Sequence, residues 1–201
     1  MKKIILASAS PRRKELLAQI GFDFTVMPSD VEENPSSTLP QDIVIELSKE
    51  KARDVWKKLE SGDLGEDGSA DYLVISADTV VAIDGEILGK PKDEEDATRM
   101  LSLLSGKEHQ VYTGVTLVWI NEEGKKEEYS FYVCTGVVMY RMSRAEIMEY
   151  VLSGEPMDKA GAYGVQGRAA AYIKSIRGEY SNVVGLPVGR LYQEMKAWDL
   201  L

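Results

Sequence analysis

Apolar and polar positions alternate along the chain in blocks that predict strands and helices in turn. Lys3 to Ala7 reads as a short buried strand, followed by a helix from about Pro11 to Ile20. Ser10 suits the N-cap of that helix, Pro11 its first position and Gly21 its exit. Phe22 to Met27 is predicted as strand, and the polar loop SDVEENPSSTL leads to a long helix from about Pro40 to Leu59. SGDLGEDGSAD follows as an acidic, glycine-rich loop. Tyr72 to Ile83 is a continuous apolar run with β-branched residues, closed by the hairpin signal Asp84-Gly85. Asp93 to Ser105 reads as a helix with Asp93 as cap and Gly106 at its exit. His109 to Ile120 and Glu127 to Met142 form two long predicted strands joined through NEEG, and Ser143 with Glu146 forms a capping box for a helix ending near Gly154. Beyond the glycine-punctuated DKAGAYGVQG lie a predicted strand, Ala170 to Ile176, and a last helix, Pro187 to Trp198. Short crossovers near the ends and long hairpin strands in the middle give an α/β or α+β class, a mixed sheet flanked by helices. Periodicity does not decide strand order.

Composition narrows the picture. With 201 residues and 44% hydrophobic content the chain can bury one sizeable core. The lone Cys134 excludes an intramolecular disulfide and suits a reducing cytosol; its apolar neighbours, YVCTGVVMY, lead us to expect it buried. The N-terminal apolar run, Ile4 to Ala7, is too short for a signal peptide, and no segment approaches the roughly 20 apolar residues needed to cross a bilayer. A soluble, cytoplasmic protein is expected. The net charge of −9 disfavours broad nucleic-acid binding, and no basic-aromatic interleaving suggests an RNA-binding module. A free nucleotide stays compatible, since it needs only a local basic pocket and can use a divalent cation.

Several residues do not fit a purely structural reading. Arg12, Arg13 and Lys14 occupy the first turn of a predicted helix, where cations oppose the helix dipole at about 0.3–1 kcal/mol each. An anion at the helix start, met by free N–H groups, guanidinium forks and the hydroxyls of Ser8 and Ser10, would reverse that sign. Pairing with the chain's many carboxylates is the alternative. Lys51 falls inside the apolar stripe Val44, Leu47, Ala52, Val55, Leu59, so it must snorkel, the commoner outcome, or find an anion. Asp78 interrupts the apolar run YLVISADTVVAI. A carboxylate there needs a metal, a cation, backbone donors or a protonation shift, and is a candidate general base or metal ligand. Glu32 and Glu33 could supply hard oxygen ligands for Mg²⁺ or be solvated loop charges. Lys90 reads alone as an exposed turn lysine. In DKAGAYGVQG, three glycines would let backbone approach a ligand and Gln166 could offer donor and acceptor to a base edge; a flexible surface loop is the other reading. His109, the only histidine, excludes a multi-histidine zinc site and reads as an ordinary strand residue. No Walker loop, dinucleotide fingerprint or paired-cysteine motif is present.

The strings SASPRRKELL, SADT with GKP, and DKAGAYGVQG with VVGLP, in that order along essentially the whole chain, resemble the Maf family. The resemblance implies a single Maf-like domain over 1–201 and an elongated fold like that of inosine triphosphate pyrophosphatases, with a long mixed sheet and a cleft between two lobes. It implies hydrolysis of nucleoside triphosphates to monophosphate and pyrophosphate with a divalent cation, Mg²⁺ or Mn²⁺, and often a homodimer. Matched by motif, Asp78 takes the catalytic position as proton acceptor, and Arg12, Thr79 and Gln166 the positions setting substrate preference. The Thr and Gln choice resembles the subfamily acting on dTTP and UTP; modified pyrimidine nucleotides are a further possibility within the class. Ser8, Arg13, Glu33, Lys51 and Lys90 match cleft-lining positions, and we assign Glu33 and Asp78 to the metal. The family's association with septum formation makes a nucleotide-sensing binding protein the rival expectation. The loop from Ser61 to Asp71 is longer than the family's usual.

Overall fold

The computed structural model describes residues 2–62 and 71–201; most of the long loop Ser61 to Asp71 lies outside them. In chain order the elements are β1 (Lys3–Leu6), α1 (Pro11–Gln19), β2 (Phe24–Val26), α2 (Pro40–Glu60), β3 (Tyr72–Ile83), β4 (Glu86–Leu88), α3 (Glu94–Leu104), β5 (Glu108–Ile120), β6 (Lys126–Met139), α4 (Arg144–Leu152), β7 (Ile173–Arg177), α5 (Tyr180–Val184) and α6 (Val188–Ala197). Three short 3-10 turns, Glu155–Asp158, Ala160–Ala162 and Arg168–Tyr172, lie between α4 and β7.

The strands form one seven-stranded mixed sheet in the order β2-β1-β3-β5-β6-β7, with β4 paired to β3. β1 runs parallel to both β2 and β3, with Ile4 opposite Phe24 and Leu73. Such pairing needs crossover connections, and α1 and α2 supply them. Ile4, Ile5 and Leu6 are buried consecutively, as expected of a strand covered on both faces. β4 folds back antiparallel on β3 through Asp84 and Gly85, whose φ values of 50° and 83° suit a tight hairpin. β7 pairs antiparallel with β6, with an irregularity at Val138/Met139.

The described residues divide into two compact units: Met1–Asp78 with Thr113–Val133 and Gly185–Leu201, and Thr79–Tyr112 with Cys134–Val184. In the first, Ile5, Ala7, Ala52, Val55, Trp56, Val74 and Val118 form one buried cluster, with Met27, Leu59, Tyr72 and Ile120 packed against it. Burying Ile5 and each of the three valines contributes about 1.5–3 kcal/mol. In the second unit the expected caps are in place. Asp93 accepts the Asp96 N–H at 2.8 Å, and at the start of α4 Ser143 and Glu146 satisfy each other's backbone N–H groups at 3.3 and 2.7 Å. Among the described residues, no helix is long and apolar enough to cross a membrane.

Two local expectations fail, and two further features go beyond what the local residues suggest, each for a physical reason. Cys134 is exposed. β6 buries alternate positions, among them Phe131, Thr135, Val137 and Met139, so the even-numbered face that carries Cys134 turns outward. Ser10 occupies the N-cap of α1 without a side-chain cap bond; its own N–H donates to Ser8 Oγ at 3.3 Å. The strand expected over Ala170–Ile176 begins only at Ile173, because the alanines of RAAAY, poor strand formers, close a 3-10 turn. The helix Tyr180–Val184 was not anticipated from YSNVV; it is fixed by tertiary contact, with Asn182 Nδ2 donating to Val111 O and Thr135 Oγ1, both at 3.0 Å.

Candidate active site

In the first unit, one face of α2 and one face of β3 converge on a charged cluster. α2 sits unusually close to the sheet: a Cβ on Gly114 of β5 would lie 2.3 Å from the carbonyl oxygen of Val44. Only glycine permits that approach. Buried hydroxyls then pin helix to sheet. Ser76 of β3 donates to the Ser48 carbonyl at 2.6 Å, Ser48 Oγ meets Thr116 Oγ1 at 2.8 Å, and Thr116 Oγ1 meets Ser130 Oγ at 2.9 Å.

Lys51 lies one helical turn beyond Ser48, and Asp78 two residues beyond Ser76, so both project from the faces just pinned. They meet. Lys51 Nζ donates to Asp78 Oδ1 at 2.6 Å and lies 2.7 Å from Glu33 Oε1. The Lys51 and Asp78 side chains are only 15% and 9% exposed, whereas Glu33 is 51% exposed. Of the two outcomes open to Lys51, the structure takes the anion partner over snorkelling, and Asp78 finds a cation on its strand. Glu32 remains exposed.

Arg13 joins this neighbourhood from α1. Its Nε donates to the Gly185 carbonyl at 2.8 Å and its Nη1 to Ser8 Oγ at 3.2 Å. Burial lowers the pKa of its guanidinium, the carboxylates of Asp78 and Glu33 pull it back up, and the neighbouring charge of Arg12 pushes it further down. Arg13 therefore lies in the field of Arg12, Asp78 and Glu33 together. Arg12 is half-buried, and the first turn of α1 carries no acidic residue. The first unit thus brings Ser8, Arg13, Glu33, Lys51 and Asp78 together, with Arg12 beside them.

Thr79, Lys90 and Gln166 belong to the second unit. Thr79 follows Asp78 on β3 and is half-buried. Lys90 is exposed, next to Gly89, whose carbonyl accepts the Gly161 N–H at 3.0 Å. That bond ties the GKP turn to the DKAG segment. Gln166 is exposed on a turn in which the Gly167 N–H bonds to the Gly164 carbonyl at 3.2 Å. In the same unit His109 is buried within β5, its Nε2 2.6 Å from the Tyr163 hydroxyl; Nδ1 has no partner among the described residues, and burial lowers its pKa to about 4.

Gly114, Ser48, Thr116 and Ser130, which seat α2, did not stand out in the sequence. Ser76 had the only available signal, a hydroxyl inside the apolar run YLVISA.

The profile of Maf-like proteins matches residues 3–198 of the chain. The chain belongs to the Maf family. Among its relatives, a protein of Agathobacter rectalis named dTTP/UTP pyrophosphatase is 56% identical over 98% of this chain and 97% of its own length. Proteins of the same name from Lachnoclostridium phytofermentans and Carboxydothermus hydrogenoformans are 50% and 48% identical, covering 100% and 98% of this chain and 97% and 98% of theirs. Among solved structures, a HAM1 protein from Coxiella burnetii superimposes with a TM-score of 0.53 at 14% identity, covering 98% of this chain and all of that one. At that identity the likeness is one of fold: this Maf chain shares its mixed sheet flanked by helices with the HAM1 protein.

Proposed function

We propose that this Maf protein hydrolyses pyrimidine nucleoside triphosphates, dTTP and UTP foremost, releasing nucleoside monophosphate and pyrophosphate in the cytoplasm. The observation that carries the proposal is the Lys51–Asp78–Glu33 cluster with Arg13 in its field. It sets a nearly buried carboxylate among cations that a helix start and an apolar stripe otherwise disfavour. The names of relatives at 48–56% identity point to the same substrates.

Each side chain has a task in this reading. Arg12, Arg13, Lys51 and Lys90 offset the charge of the triphosphate, and Ser8 keeps the Arg13 guanidinium oriented. Asp78 accepts the proton of the attacking water as its oxygen bonds to the α-phosphorus; the bridging P–O bond then breaks and pyrophosphate departs. Thr79 and Gln166 set the preference for a pyrimidine base. Glu33 and Asp78 also suit a divalent cation. Their oxygens already converge on one positive centre, Lys51 Nζ, at 2.7 and 2.6 Å. Among the described residues no group of three or more His, Cys, Asp or Glu could hold a metal, so substrate oxygens and water would complete the shell, as Mg²⁺ commonly requires. When bound, the cation supplies further neutralisation of phosphate charge. The test is direct: purified protein with dTTP or UTP and Mg²⁺ should release pyrophosphate, and no product across the common and modified triphosphates would overturn the assignment.

A further inference from the structure

Gln166 lies on an exposed turn between two glycines, the kind of segment that is ordinarily mobile. Here one end of the turn is tied directly to a carboxylate and the other to a tyrosine hydroxyl that donates to the same carboxylate. Glu155, in the 3-10 turn after α4, accepts the Arg168 backbone N–H on Oε2 at 3.1 Å and the Tyr150 hydroxyl on Oε1 at 2.9 Å. The Tyr150 oxygen in turn accepts the Gly164 N–H at 3.4 Å. Tyr150 is itself buried, 3% exposed, so the relay is anchored in the fold. The space above the turn is filled as well. A Cβ at Gly167 would lie 2.0 Å from Glu155 Oε1, and one at Gly164 would lie 2.6 Å from Lys159 Cε. Lys159 is braced by its own bonds to the Glu155 carbonyl and to Asp158 Oδ1, both at 2.6 Å. The glycines flanking Gln166 therefore lie directly against the ends of the Glu155 and Lys159 side chains, which a Cβ at either position would displace from the turn.

We propose that Glu155, acting with Tyr150, is a positioning residue for base recognition: it holds the Gly164–Arg168 turn in one conformation so that Gln166 is ordered before the nucleotide arrives. This rests on the proposed function and on Gln166 reading the base. Preorganisation lowers the ordering cost of binding without touching the reacting atoms, so its loss weakens affinity and selectivity and spares the chemical step.

The test compares wild type, Glu155→Gln, Tyr150→Phe and Gln166→Ala with dTTP and with GTP. Glu155→Gln should raise KM for dTTP about tenfold, keep kcat within about twofold and narrow the preference over GTP; Tyr150→Phe should shift them the same way by less. Unchanged KM and preference in both variants, or a fall in kcat alone, would overturn the proposal. Hydrogen exchange separates this from failure of the underlying reading. The Arg168 amide should exchange at least about tenfold faster in Glu155→Gln whatever the activity, and unchanged protection would overturn the clamp. If wild type turns over no triphosphate, or Gln166→Ala leaves the preference intact, the base-reading role falls, while the amide result still decides whether Glu155 holds the turn.

Discussion

Asp78 and Lys51 are each tolerated where they stand because the other is there. A nearly buried ion pair contributes little net stability, but removing one partner strands the other's charge. Asp78→Asn keeps the size of the side chain and one acceptor oxygen while removing the proton acceptor. It should cost about 10²–10⁴ in kcat yet retain dTTP binding, measured by calorimetry; turnover equal to wild type would contradict the assignment. Both residues were legible in sequence as charges on apolar faces, though the sequence could not say that they answer each other. His109 carries a separate prediction. Its folded-state pKa, about 4, lies below the ordinary 6.5, so the fold favours the neutral ring. Above pH 6.5 both states are neutral and the group contributes nothing to pH dependence. As pH falls from 6.5 towards 4, the unfolded chain takes up the proton first and stability drops, by at most about 1.4 kcal/mol per pH unit. His109→Gln should show a shallower loss of melting temperature across that window than wild type. Parallel curves would refute the buried neutral histidine.

At the scale of elements, most of the helices and strands followed from periodicity and caps, because their signals are local. The capping box at Ser143, the Asp93 cap and the Asp84-Gly85 hairpin fold as their residues dictate. What failed to show in sequence depends on distant partners. α5 exists because Asn182 reaches β5 and β6, and Cys134 is exposed because β6 is covered on one face only. Glu155 reads as one more surface acid until the turn folds over it. The seating of α2 belongs here too, since Gly114 looks like a weak point in a strand. Gly114→Ala would push a methyl group into the Val44 carbonyl, 2.3 Å away. Backbone on both sides leaves little room to yield, so about 1–3 kcal/mol of stability should be lost. Because Lys51 rides on the displaced helix, kcat/KM should fall by more than the population of folded protein accounts for. A variant of native stability and full activity would show that α2 does not need this contact.

Over the whole molecule, Asp and Glu outnumber Lys and Arg by 33 to 24, yet the proposed substrate is an anion. Charge acts over about 8 Å at physiological ionic strength, so the cations beside Asp78 govern contact, while the remaining surface governs only weak approach. The two contributions respond oppositely to salt. If the net charge dominated, screening would relieve repulsion and added salt would tighten binding. If the local cluster dominates, added salt should weaken it. Asp78→Asn protein, which should consume its ligand about 10²–10⁴ times more slowly, separates these cases in a thermal melt with dTTP and Mg²⁺. A ligand at a hundred times its Kd adds about 2.7 kcal/mol, roughly 5–10 °C for a chain of this size. That shift should shrink between about 50 and 500 mM KCl, as short-range attraction is screened. In wild-type protein, chelating the cation should abolish turnover, and Mg²⁺ or Mn²⁺ should restore it. A dTTP-induced shift that grows with salt would instead mean that no concentrated positive site receives the triphosphate, and the roles given to Arg12, Arg13 and Lys51 would have to be withdrawn.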